Sequence, residues 1–378
     1  MASVDSRDPR SVDGREYRIR RYRPGDREAF FSLYESVFGH RATDDWFEWR
    51  FVDPPASDRI PIFVAESDGD LVGARPFLCF ELETGRRRLP GVQTCDTMVH
   101  PDHRRKGLFT RMTERAYEAY GARQQPVVQF SVPNDYSRPG YLKLGCAVVG
   151  PFALSHRIHH PDSLVGDDRL ARLAGAGRPI LRLYNPARRR LAAPPVDDEI
   201  SVRCHDRVPS DLFERLYETT VPNRIHAVRD RAFYEWRFDN PRWTYRAYTA
   251  HRDGEPVAGI VTGTKTANGG TRLQLTDAVP LVGGQYRRAA LAALLGRILS
   301  ASGFVDLVSA RPGAIPADLL AAFGFVPDDR IPLSLASTTT LLITKLIDGR
   351  EDDRWIVDGH DLQDPTSWQL ALAEHNTA

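Results

Sequence analysis

The sequence WFEWRFVDPP at residues 46–55 returns nearly unchanged as FYEWRFDNPR at residues 233–242. Upstream of each copy the tripeptide Leu-Tyr-Glu recurs, at residues 33–35 and 216–218. Downstream, both copies continue into a strand, an Asp-Gly turn and another strand, with the turns SDGDLVG and RDGEPVAG. The chain shows no other simple repeat, so this pattern indicates a duplicated unit and predicts two domains of the same fold.

Length and composition agree with two soluble domains and exclude several classes of partner. The chain has 378 residues, enough for two cores, and its 51 basic residues nearly balance 50 acidic ones. This balance does not favour nucleic acid or an acidic membrane. The four cysteines are far apart, without zinc or disulfide spacing, and no apolar run approaches the ~20 residues of a membrane helix. We therefore expect a cytoplasmic protein with no metal and no membrane insertion, and homo-oligomers remain open.

The order of elements predicts an α+β fold in each half. A strand and a helix come first, followed by a run of strands, a second helix, a buried strand, a short helix and a final strand pair. An arginine-, alanine- and proline-rich stretch separates the halves. The predicted segments are a disordered tail at 1–15, an N-terminal domain at 16–160, a linking helix and linker at 161–199, a C-terminal domain at 200–348 and a C-terminal extension at 349–378.

The sequence VHPDHRRKGLF at residues 99–109 carries the strongest chemical signal. It follows a predicted strand and opens a predicted helix, and the amides at a helix N-terminus lack partners and attract anions. Gly107 allows an anion to come close to the backbone. Arg104, Arg105 and Lys106 add positive charge that suits phosphate groups. The loop therefore predicts a site for a diphosphate, with some of the basic charge for an attached 3'-phosphate.

Arg104 and Gly107 resemble the diphosphate loop of the GNAT superfamily of acyl-CoA N-acyltransferases, which reads R/Q-x-x-G-x-G/A after a strand. Phe109 differs, because the family usually has Gly or Ala there. The resemblance implies two tandem GNAT-like domains, each a mixed, splayed sheet flanked by helices, with acetyl-CoA as cosubstrate. It assigns contacts with CoA to Met98, Val99, Arg104, Arg105, Lys106, Gly107, Leu108 and Phe109.

A second segment, SVPNDYSRPGYLKLGC at residues 131–146, is similar to the GNAT pattern in which an Asn precedes a short helix with Y-x-x-x-G-F. Asn134 matches the position that often contacts CoA. Tyr141 matches the tyrosine that often protonates the leaving thiolate, although an isolated tyrosine here would more simply be a packed aromatic. Cys146 replaces the usual Phe.

Acyl transfer to an amine needs an unprotonated amine, a donor for the oxyanion and a proton for the departing sulfur. The resemblance implies that the amide around Val99 donates to the oxyanion. Asp96 is the candidate general base because it stands shortly before the loop. Asp277 occupies the corresponding place in the second copy. A structural role for this carboxylate in both halves therefore remains an alternative.

The second copy of the site has lost its chemical residues. Its loop, LVGGQYRRAAL at 281–291, keeps Arg287 but has Ala290 where we align Gly107. A Cβ there would crowd a phosphate. The segment ADLLAAFGF at 317–325 retains a short helix but has no tyrosine. We therefore expect the C-terminal domain to be degenerate, supporting the first without chemistry of its own.

Two further features favour structural roles. The repeated Glu-Trp-Arg-Phe box places its Glu and Arg two residues apart. Side chains with this spacing do not face each other on a helix. We interpret the box as packing, with Arg50 and Arg237 paired locally. The cluster His156, His159 and His160 has no acidic or cysteine ligand near it in sequence, so we interpret it as a solvated strand end and not a metal site.

These observations predict an N-acetyltransferase that moves an acetyl group from acetyl-CoA to a primary amine by direct attack on the thioester. The acceptor would be a small molecule, an amino sugar or a peptide. Two alternatives remain open at this point. One is transfer of a different acyl group, for instance to an amino sugar of a surface polysaccharide, and the other is a noncatalytic CoA-binding or assembly protein.

Overall fold

A computed structural model describes residues 10–12, 14–160, 198–267, 269–330, 333–335, 340–349 and 355–376. The chain divides into two compact units, of which unit 1 is Met1–Gly150 with Leu342–Ser367 and unit 2 is Pro151–Leu341 with Trp368–Ala378. The predicted linking helix falls almost entirely outside the described residues. The predicted tail does so only in part, because Arg10–Val12 form a strand instead of being disordered.

The helices are α1 (Arg27–Phe38), α2 (Asp44–Phe47), α3 (Leu108–Gly121), α4 (Arg138–Lys143), α5 (Ser210–Glu218), α6 (Arg231–Arg237), α7 (Arg287–Ala301) and α8 (Ala317–Ala322). The strands are β1 (Arg10–Val12), β2 (Arg15–Arg21), β3 (Ile62–Ser67), β4 (Asp70–Glu83), β5 (Arg88–Thr94), β6 (Met98–Val99), β7 (Val127–Ser131), β8 (Ala147–Pro151), β9 (Ser155–Ile158), β10 (Ile200–His205), β11 (His226–Ala227), β12 (Thr244–Arg252), β13 (Glu255–Ala267), β14 (Gly270–Val279), β15 (Leu307–Ala310), β16 (Val326–Pro327), β17 (Leu341–Ile347), β18 (Ile356–Val357) and β19 (His360–Asp361). Among these helices, none has the length and apolar character that crossing a membrane requires.

Unit 1 is built on a mixed sheet in the order β1-β2-β3-β4-β5-β7-β17-β8. Strands β5 and β7 run parallel, whereas the pairs β1–β2, β2–β3, β3–β4, β4–β5 and β7–β17 are antiparallel. Helix α3 packs on this sheet because its buried residues recur every four positions on one face. These are Leu108, Met112, Ala116 and Tyr120. This packing fixes the N-terminus of α3 beside the ends of the central strands.

Unit 2 repeats the plan with the sheet order β10-β12-β13-β14-β15-β9-β16. Strands β14 and β15 are its parallel pair. Both predicted hairpins form, and Asp68 and Gly69 have φ of 53° and 89°, close to the 52° and 86° of Asp253 and Gly254. Positive φ at both turn residues is what a two-residue hairpin requires. The predicted α+β class with two mixed, flanked sheets is confirmed.

The two units are not contiguous in sequence, which differs from the boundaries expected at 16–160 and 200–348. The sheet of unit 1 contains β17, from the far end of the chain, between β7 and β8. The sheet of unit 2 contains β9, which lies inside the predicted first domain. The C-terminal extension is also divided, with residues up to Ser367 in unit 1 and those from Trp368 in unit 2. Each sheet thus includes strand residues from beyond its own half of the sequence.

The repeated aromatic box forms a helix in both halves. In the first copy α2 continues into one π-helical turn over Glu48–Val52, and in the second the box lies in α6. Arg50 and Arg237 are wholly buried within it. Each also has a partner that is far away in sequence, which local pairing did not predict. Arg50 pairs with Asp96, and Arg237 donates to the backbone carbonyls of residues 373 and 375.

Candidate active site

The sheet of unit 1 opens between two neighbouring strands. Strands β5 and β7 pair only through Gly91 with Val128 and Val92 with Gln129. Beyond Thr94 the chain leaves β7, and β6 pairs with β4 instead. The sheet is therefore splayed between β6 and β7, the architecture that the resemblance implied.

The peptide N-H of Val99 points into this opening. Val99 lies opposite Gly73 on β4, and the next pair is bonded, with His100 N-H donating to Val72 O at 2.9 Å. Because bonded and non-bonded pairs alternate in an antiparallel ladder, the N-H and C=O of Val99 face away from β4. Met98, its neighbour, is buried on the sheet. An amide directed away from its own ladder is a suitable donor to an oxyanion.

The loop after β6 forms the predicted tight turn into α3. A single 3₁₀ turn over Pro101–His103 is followed by Arg104 in an extended conformation. Arg105 and Gly107 then adopt φ of 62° and 72°, and Gly107 is the N-cap residue of α3. Successive residues that alternate in this way turn their N-H groups toward one side and form an anion-binding concavity.

Several amides at this helix start remain unpaired. The first bond of the helix runs from Arg111 N-H to Gly107 O at 3.1 Å. The amides of Leu108, Phe109 and Thr110 precede it and have no backbone acceptor among the described residues. They share the positive end of the α3 dipole. The loop therefore presents a group of free donors to an anion.

The surroundings of the loop leave room for that anion. A Cβ built on Gly107 would meet no atom within 4 Å, so the space beside it is open. Arg104 and Arg105 are exposed, and Arg104 Nε lies 3.4 Å from Val99 O. The basic side chains therefore stand at the rim of the site, where they can reach a phosphate group.

Phe109, which departs from the family pattern, packs away from the loop. Its ring lies edge-on to Tyr141, with centroids 5.2 Å apart. Gly140 provides the space, because a Cβ there would come within 2.7 Å of the Phe109 ring. The side chain thus joins α3 to α4 and leaves the amide of Phe109 exposed to the loop.

Asn134 caps its own turn. Its Oδ1 accepts hydrogen bonds from Ser137 N and Ser137 Oγ, both at 2.9 Å. A side-chain oxygen that accepts from the amide three residues on is a capping interaction, and it starts the segment leading into α4. The side-chain amide nitrogen still faces solvent, since Asn134 is exposed. A contact with CoA through Asn134 stays a prediction.

Asp96 belongs to a buried ion pair. Its Oδ2 accepts from Arg50 Nε at 2.7 Å, and the Arg50 side chain is wholly buried. Burial alone would lower the pKa of Arg50, but the attraction of Asp96 raises it. Between β5 and β6 the chain forms a bulge, in which residues 95–97 face only residues 75–76 of β4. Asp96 in this bulge has a φ of 40°, an unusual conformation. The pairing favours the structural role that the sequence left open for Asp96.

Tyr141 is buried, and its phenolic oxygen accepts a hydrogen bond from Arg75 Nη1 at 2.6 Å. The same nitrogen also donates to Thr97 Oγ1. Arg75 therefore connects β4, the bulge after β5 and α4 at the mouth of the splay. Sequence reasoning missed both Arg75 and Thr97. The one available signal was a single charged residue within the apolar run LVGARPFLCF of residues 71–80.

The equivalent loop of unit 2 is closed by its own side chains. Arg287 Nε donates to Pro280 O at 2.7 Å, and its Nη2 donates to Leu281 O at 2.9 Å. Burial lowers the pKa of Arg287 to about 10. A Cβ on Gly283 would come within 2.8 Å of Thr220, so the turn is packed and not open.

The alignment of Gly107 with Ala290 is wrong. Helix α7 begins at Arg287 with Tyr286 as N-cap residue, and its first bond runs from Ala290 N-H to Tyr286 O. Tyr286, and not Ala290, therefore occupies the position of Gly107. The helix starts earlier because two alanines follow Arg288, and alanine is the best helix former. The expectation that unit 2 lacks an open glycine cradle is unaffected.

Comparison with known proteins identifies the first half. Residues 18–149 match the family model described as an acetyltransferase (GNAT) domain. No curated protein matches the chain.

Solved structures match over most of the chain. A probable N-acyltransferase from Enterococcus faecalis has 12% identity and a TM-score of 0.60, with 88% of this chain and 73% of that one covered. A GCN5-related N-acetyltransferase from Anabaena variabilis has 13% identity and a TM-score of 0.58 over the same shares. The N-myristoyltransferase of Saccharomyces cerevisiae, solved with myristoyl-CoA, has 13% identity and a TM-score of 0.58. The match covers 97% of this chain and 87% of that one. At these identities the likeness shows the fold alone.

Proposed function

Residues 18–149 form a GNAT acetyltransferase domain, and from this premise we propose that unit 1 transfers an acetyl group from acetyl-CoA to a primary amine. The coarser statement, an acyltransferase fold that uses a CoA derivative, rests on the family match. The finer statement rests on the geometry of the loop, the splay and Tyr141. Unit 2 provides scaffold in this proposal.

The observation that carries the proposal is the set of unpaired amides at the start of α3. Leu108, Phe109 and Thr110 have no backbone acceptor in the described structure, and Gly107 faces open space. A diphosphate accepts several such donors at once and is favoured by the helix dipole. The pantetheine arm of CoA would then enter the splay between β6 and β7, where the Val99 amide points.

The chemistry follows from this placement. The amine nitrogen attacks the thioester carbon, and the Val99 N-H stabilises the charge on the carbonyl oxygen. The carbon-sulfur bond breaks, and the sulfur takes the bonding electrons and a proton from Tyr141. The nitrogen loses its extra proton to water or to a carboxylate. Asp96 is the weaker candidate for that base, because its carboxylate already pairs with Arg50.

Two buried side chains near the splay favour acetyl as the transferred group. Cys95 and Met98 have exposures of 3% and 0%. A two-carbon group needs little room beside these side chains, whereas a fatty acyl chain would need much more.

The acceptor is proposed only by chemical class, as a primary amine on a small molecule, an amino sugar or a peptide. The amine must approach Val99 and Tyr141 unprotonated, so the site should exclude water around it. Tyr141 is 3% exposed and lies against Phe109, so its ring is shielded from bulk water.

Thermal unfolding with and without CoA and acetyl-CoA tests the proposal. At a ligand concentration of 100 Kd, binding to the folded state adds about 2.7 kcal/mol to the free energy of unfolding. The wild type should therefore unfold at a higher temperature with either ligand. Gly107→Trp should abolish the increase, because the indole would fill the open space beside the loop.

Gly107→Asn is the matched control, since asparagine tolerates a positive φ and is small. It should retain most of the ligand-induced increase. An increase unaffected by Gly107→Trp would refute the assignment of the loop. Acetyl-CoA binding without release of thiol over a broad panel of amines would instead favour the noncatalytic alternative.

A further inference from the structure

Arg75 lies at the centre of the candidate active site and is completely shielded from water, with 0% exposure. Its guanidinium carbon lies 4.8 Å from the ring centroid of Tyr141, 5.1 Å from that of Phe109 and 5.2 Å from that of Phe77. Nη1 donates to Tyr141 Oη at 2.6 Å and to Thr97 Oγ1. The bulge, the start of α3 and α4 therefore meet around one cation.

This cation has no counterion. Within the described chain, Arg75 has no ion pair with a carboxylate, and its buried Nε and Nη2 atoms have no hydrogen-bond partner. Two other wholly buried arginines differ, because Arg50 pairs with Asp96 and Arg229 pairs with Asp277 and Glu374. A third, Arg237, donates to backbone carbonyls. An unpaired charge away from water is strongly unfavourable. Arg75 is thus prepared for a negative charge that the apo protein does not supply.

The titratable groups around Arg75 do not supply this charge either. Burial raises the pKa of Cys95 to about 12 and raises that of Cys146. Burial also raises the pKa of Tyr117 well above its ordinary value. These three groups are therefore protonated and neutral near pH 7. The remaining neighbour, Tyr141, is the hydrogen-bond acceptor of Arg75 itself.

Unit 2 shows that the fold does not require an arginine at this place. The Asp-Gly turn of each unit is followed by a register shift at the same distance. Counting residues from these two turns aligns Arg75 with Ile260. Tyr141 corresponds to Leu320, because the two backbone carbonyls make the same hydrogen bond. Each accepts at 3.1 Å from the amide of the residue that follows the glycine at the helix end. Thr97 corresponds to Ala278, one residue after the shared aspartate. All three polar members are apolar in the unit that lacks the loop.

We propose that Arg75 is a positioning residue that holds the negative charge formed on the CoA sulfur and the Tyr141 oxygen during acyl transfer. This inference rests on the proposed function of unit 1. Because Tyr141 Oη accepts from Arg75 Nη1, the phenolic proton is directed away from the guanidinium. It is then available to the leaving sulfur, and Thr97 Oγ1 holds the same Nη1 atom by accepting a second hydrogen bond from it.

The step balances without any further reactant. The amine nitrogen bonds to the thioester carbon, and the carbon-sulfur bond breaks with its electron pair going to sulfur. The Tyr141 proton passes to sulfur, and the Arg75 hydrogen bond holds the phenolate oxygen that forms. The amine nitrogen loses its extra proton to water, and that proton returns to the phenolate. A sulfur atom that is hydrogen-bonded to Tyr141 Oη lies within about 6 Å of Arg75 Nη1. At this distance one charge alters the ionisation of another group.

The thiol of bound CoA reports this charge directly and needs no acceptor amine. The ultraviolet absorbance of the thiolate is followed against pH for the full chain saturated with CoA. The same titration with desulfo-CoA, which lacks the thiol, is subtracted to remove the protein's own tyrosines and cysteines. In the wild type, the bound thiol should ionise at a pH about 1 to 3 units lower than in Arg75→Met.

Three other variants separate charge from packing. Arg75→Lys keeps the charge without the planar fork and should retain part of the difference. Tyr141→Phe removes the phenol but leaves the cation, so the bound thiol should still ionise at lower pH than in Arg75→Met. Arg88→Met makes the same change at an exposed position of β5 and should behave as wild type.

The unfolding temperature without CoA provides a second test. A structural role for Arg75 predicts a lower unfolding temperature in Arg75→Met, whereas the proposal predicts the same temperature or a higher one. Replacing a buried, unpaired charge by an apolar residue of similar size removes the cost of keeping that charge away from water. Without CoA, Arg75→Met should therefore unfold at the same temperature as wild type or higher. A lower unfolding temperature together with an unchanged thiol titration would identify Arg75 as a structural residue and overturn the proposal.

The outcomes distinguish this inference from the function on which it rests. If CoA binds but its thiol ionises as in free CoA, Arg75 does not hold the charge, and the acyltransferase assignment stands. This wild-type comparison decides the question even if no Arg75 variant folds. If neither CoA nor desulfo-CoA binds, both the function and the inference fail.

Discussion

Asp96 and Asp277 each lie beside an arginine that water does not reach. Arg50 is paired with Asp96, and Arg229 is paired with Asp277. Tyr234 also donates to Asp277, at 3.0 Å. A carboxylate that occurs in both units, including the unit without the loop, is explained by the need to neutralise these guanidinium groups. The common feature of the two halves at this position is therefore charge balance inside the fold.

The first prediction concerns Asp96→Asn. This change leaves Arg50 buried without a charge partner, and breaking a buried pair costs about 3 to 5 kcal/mol of unfolding free energy. Because water can deprotonate the amine, the dependence of kcat/KM on pH should keep its shape. Urea unfolding and pH-rate profiles measure the two effects.

A double variant provides the control. Arg50→Met with Asp96→Asn removes both charges, so it should recover much of the lost stability. Loss of one limb of the pH-rate profile in stable Asp96→Asn protein would show that Asp96 acts as the base after all.

At this scale, local patterns made some residues identifiable from sequence and left others hidden. Gly107 and Tyr141 could be named because the motifs around them span only a few residues. Arg75 could not, because it meets Tyr141 across 66 residues of sequence, only after β4 and α4 have packed together. The same reason hides the pairing of Arg50 with Asp96, 46 residues apart. Contacts of this kind depend on the closed sheet and leave no local signal.

At the scale of elements, the loop before α3 combines neutral backbone donors with exposed basic side chains. The backbone amides suit the diphosphate, which every CoA derivative contains. The exposed side chains of Arg104 and Arg105 are better placed for a group at the rim, such as the 3'-phosphate. These two parts of the loop can be separated by the choice of ligand.

The second prediction uses that separation. Arg105→Gln should weaken CoA binding by about 1.5 kcal/mol, roughly tenfold in Kd, because a charge-assisted hydrogen bond is lost. Binding of dephospho-CoA should change much less. Titration calorimetry with both ligands measures the difference, which should shrink at high salt.

Arg203→Gln, at an exposed position on β10 of unit 2, is the matched control and should leave both affinities unchanged. Equal losses for CoA and dephospho-CoA in Arg105→Gln would place the side chain on the diphosphate instead of the 3'-phosphate.

The short strand β11 of unit 2 contains a buried neutral histidine. His226 Nδ1 lies 2.6 Å from Arg224 O and Nε2 lies 2.9 Å from Tyr217 Oη. A neutral ring meets both needs, since Nδ1-H donates to the carbonyl and Nε2 accepts from the phenol. Burial, followed by the positive charge of Arg229, lowers the pKa of His226 to about 3.

The third prediction follows from this shift. The unfolded histidine has a pKa of about 6.5, so between pH 6.5 and 3 the unfolded chain binds a proton that the folded one does not. Stability from this group is complete above pH 6.5 and is lost as the pH falls. Between pH 7.5 and 5.0 the loss is about 2 kcal/mol.

His226→Gln is the test, because glutamine can keep one donor and one acceptor without titrating. Urea unfolding at the two pH values should show a pH dependence about 2 kcal/mol smaller than in wild type. An identical dependence in both proteins would mean that His226 is protonated in the folded state.

For the whole molecule, the duplication could be predicted from sequence but the assembly of the two sheets could not. The apolar pattern of residues 338–345 predicts a strand, and the structure has β17 at Leu341–Ile347. Its place in the sheet of unit 1 has no sequence signature, because an apolar strand pattern does not specify its partner. The same holds for β9. The boundaries taken from sequence therefore cut through both sheets.

The last prediction tests this arrangement. A shortened chain of residues 14–160 lacks β17, whose Leu342, Ile343 and Ile347 are buried in unit 1. Burial of such side chains contributes about 1.5 to 3 kcal/mol each, so their loss removes an amount comparable to the whole stability of a domain. This chain should not fold cooperatively.

Residues 14–152 joined to residues 340–367 by a short Gly-Ser linker should fold, since Phe152 N lies 2.8 Å from Thr340 O. Circular dichroism during urea unfolding measures both, and a cooperative transition for residues 14–160 alone would show that β17 is dispensable to unit 1.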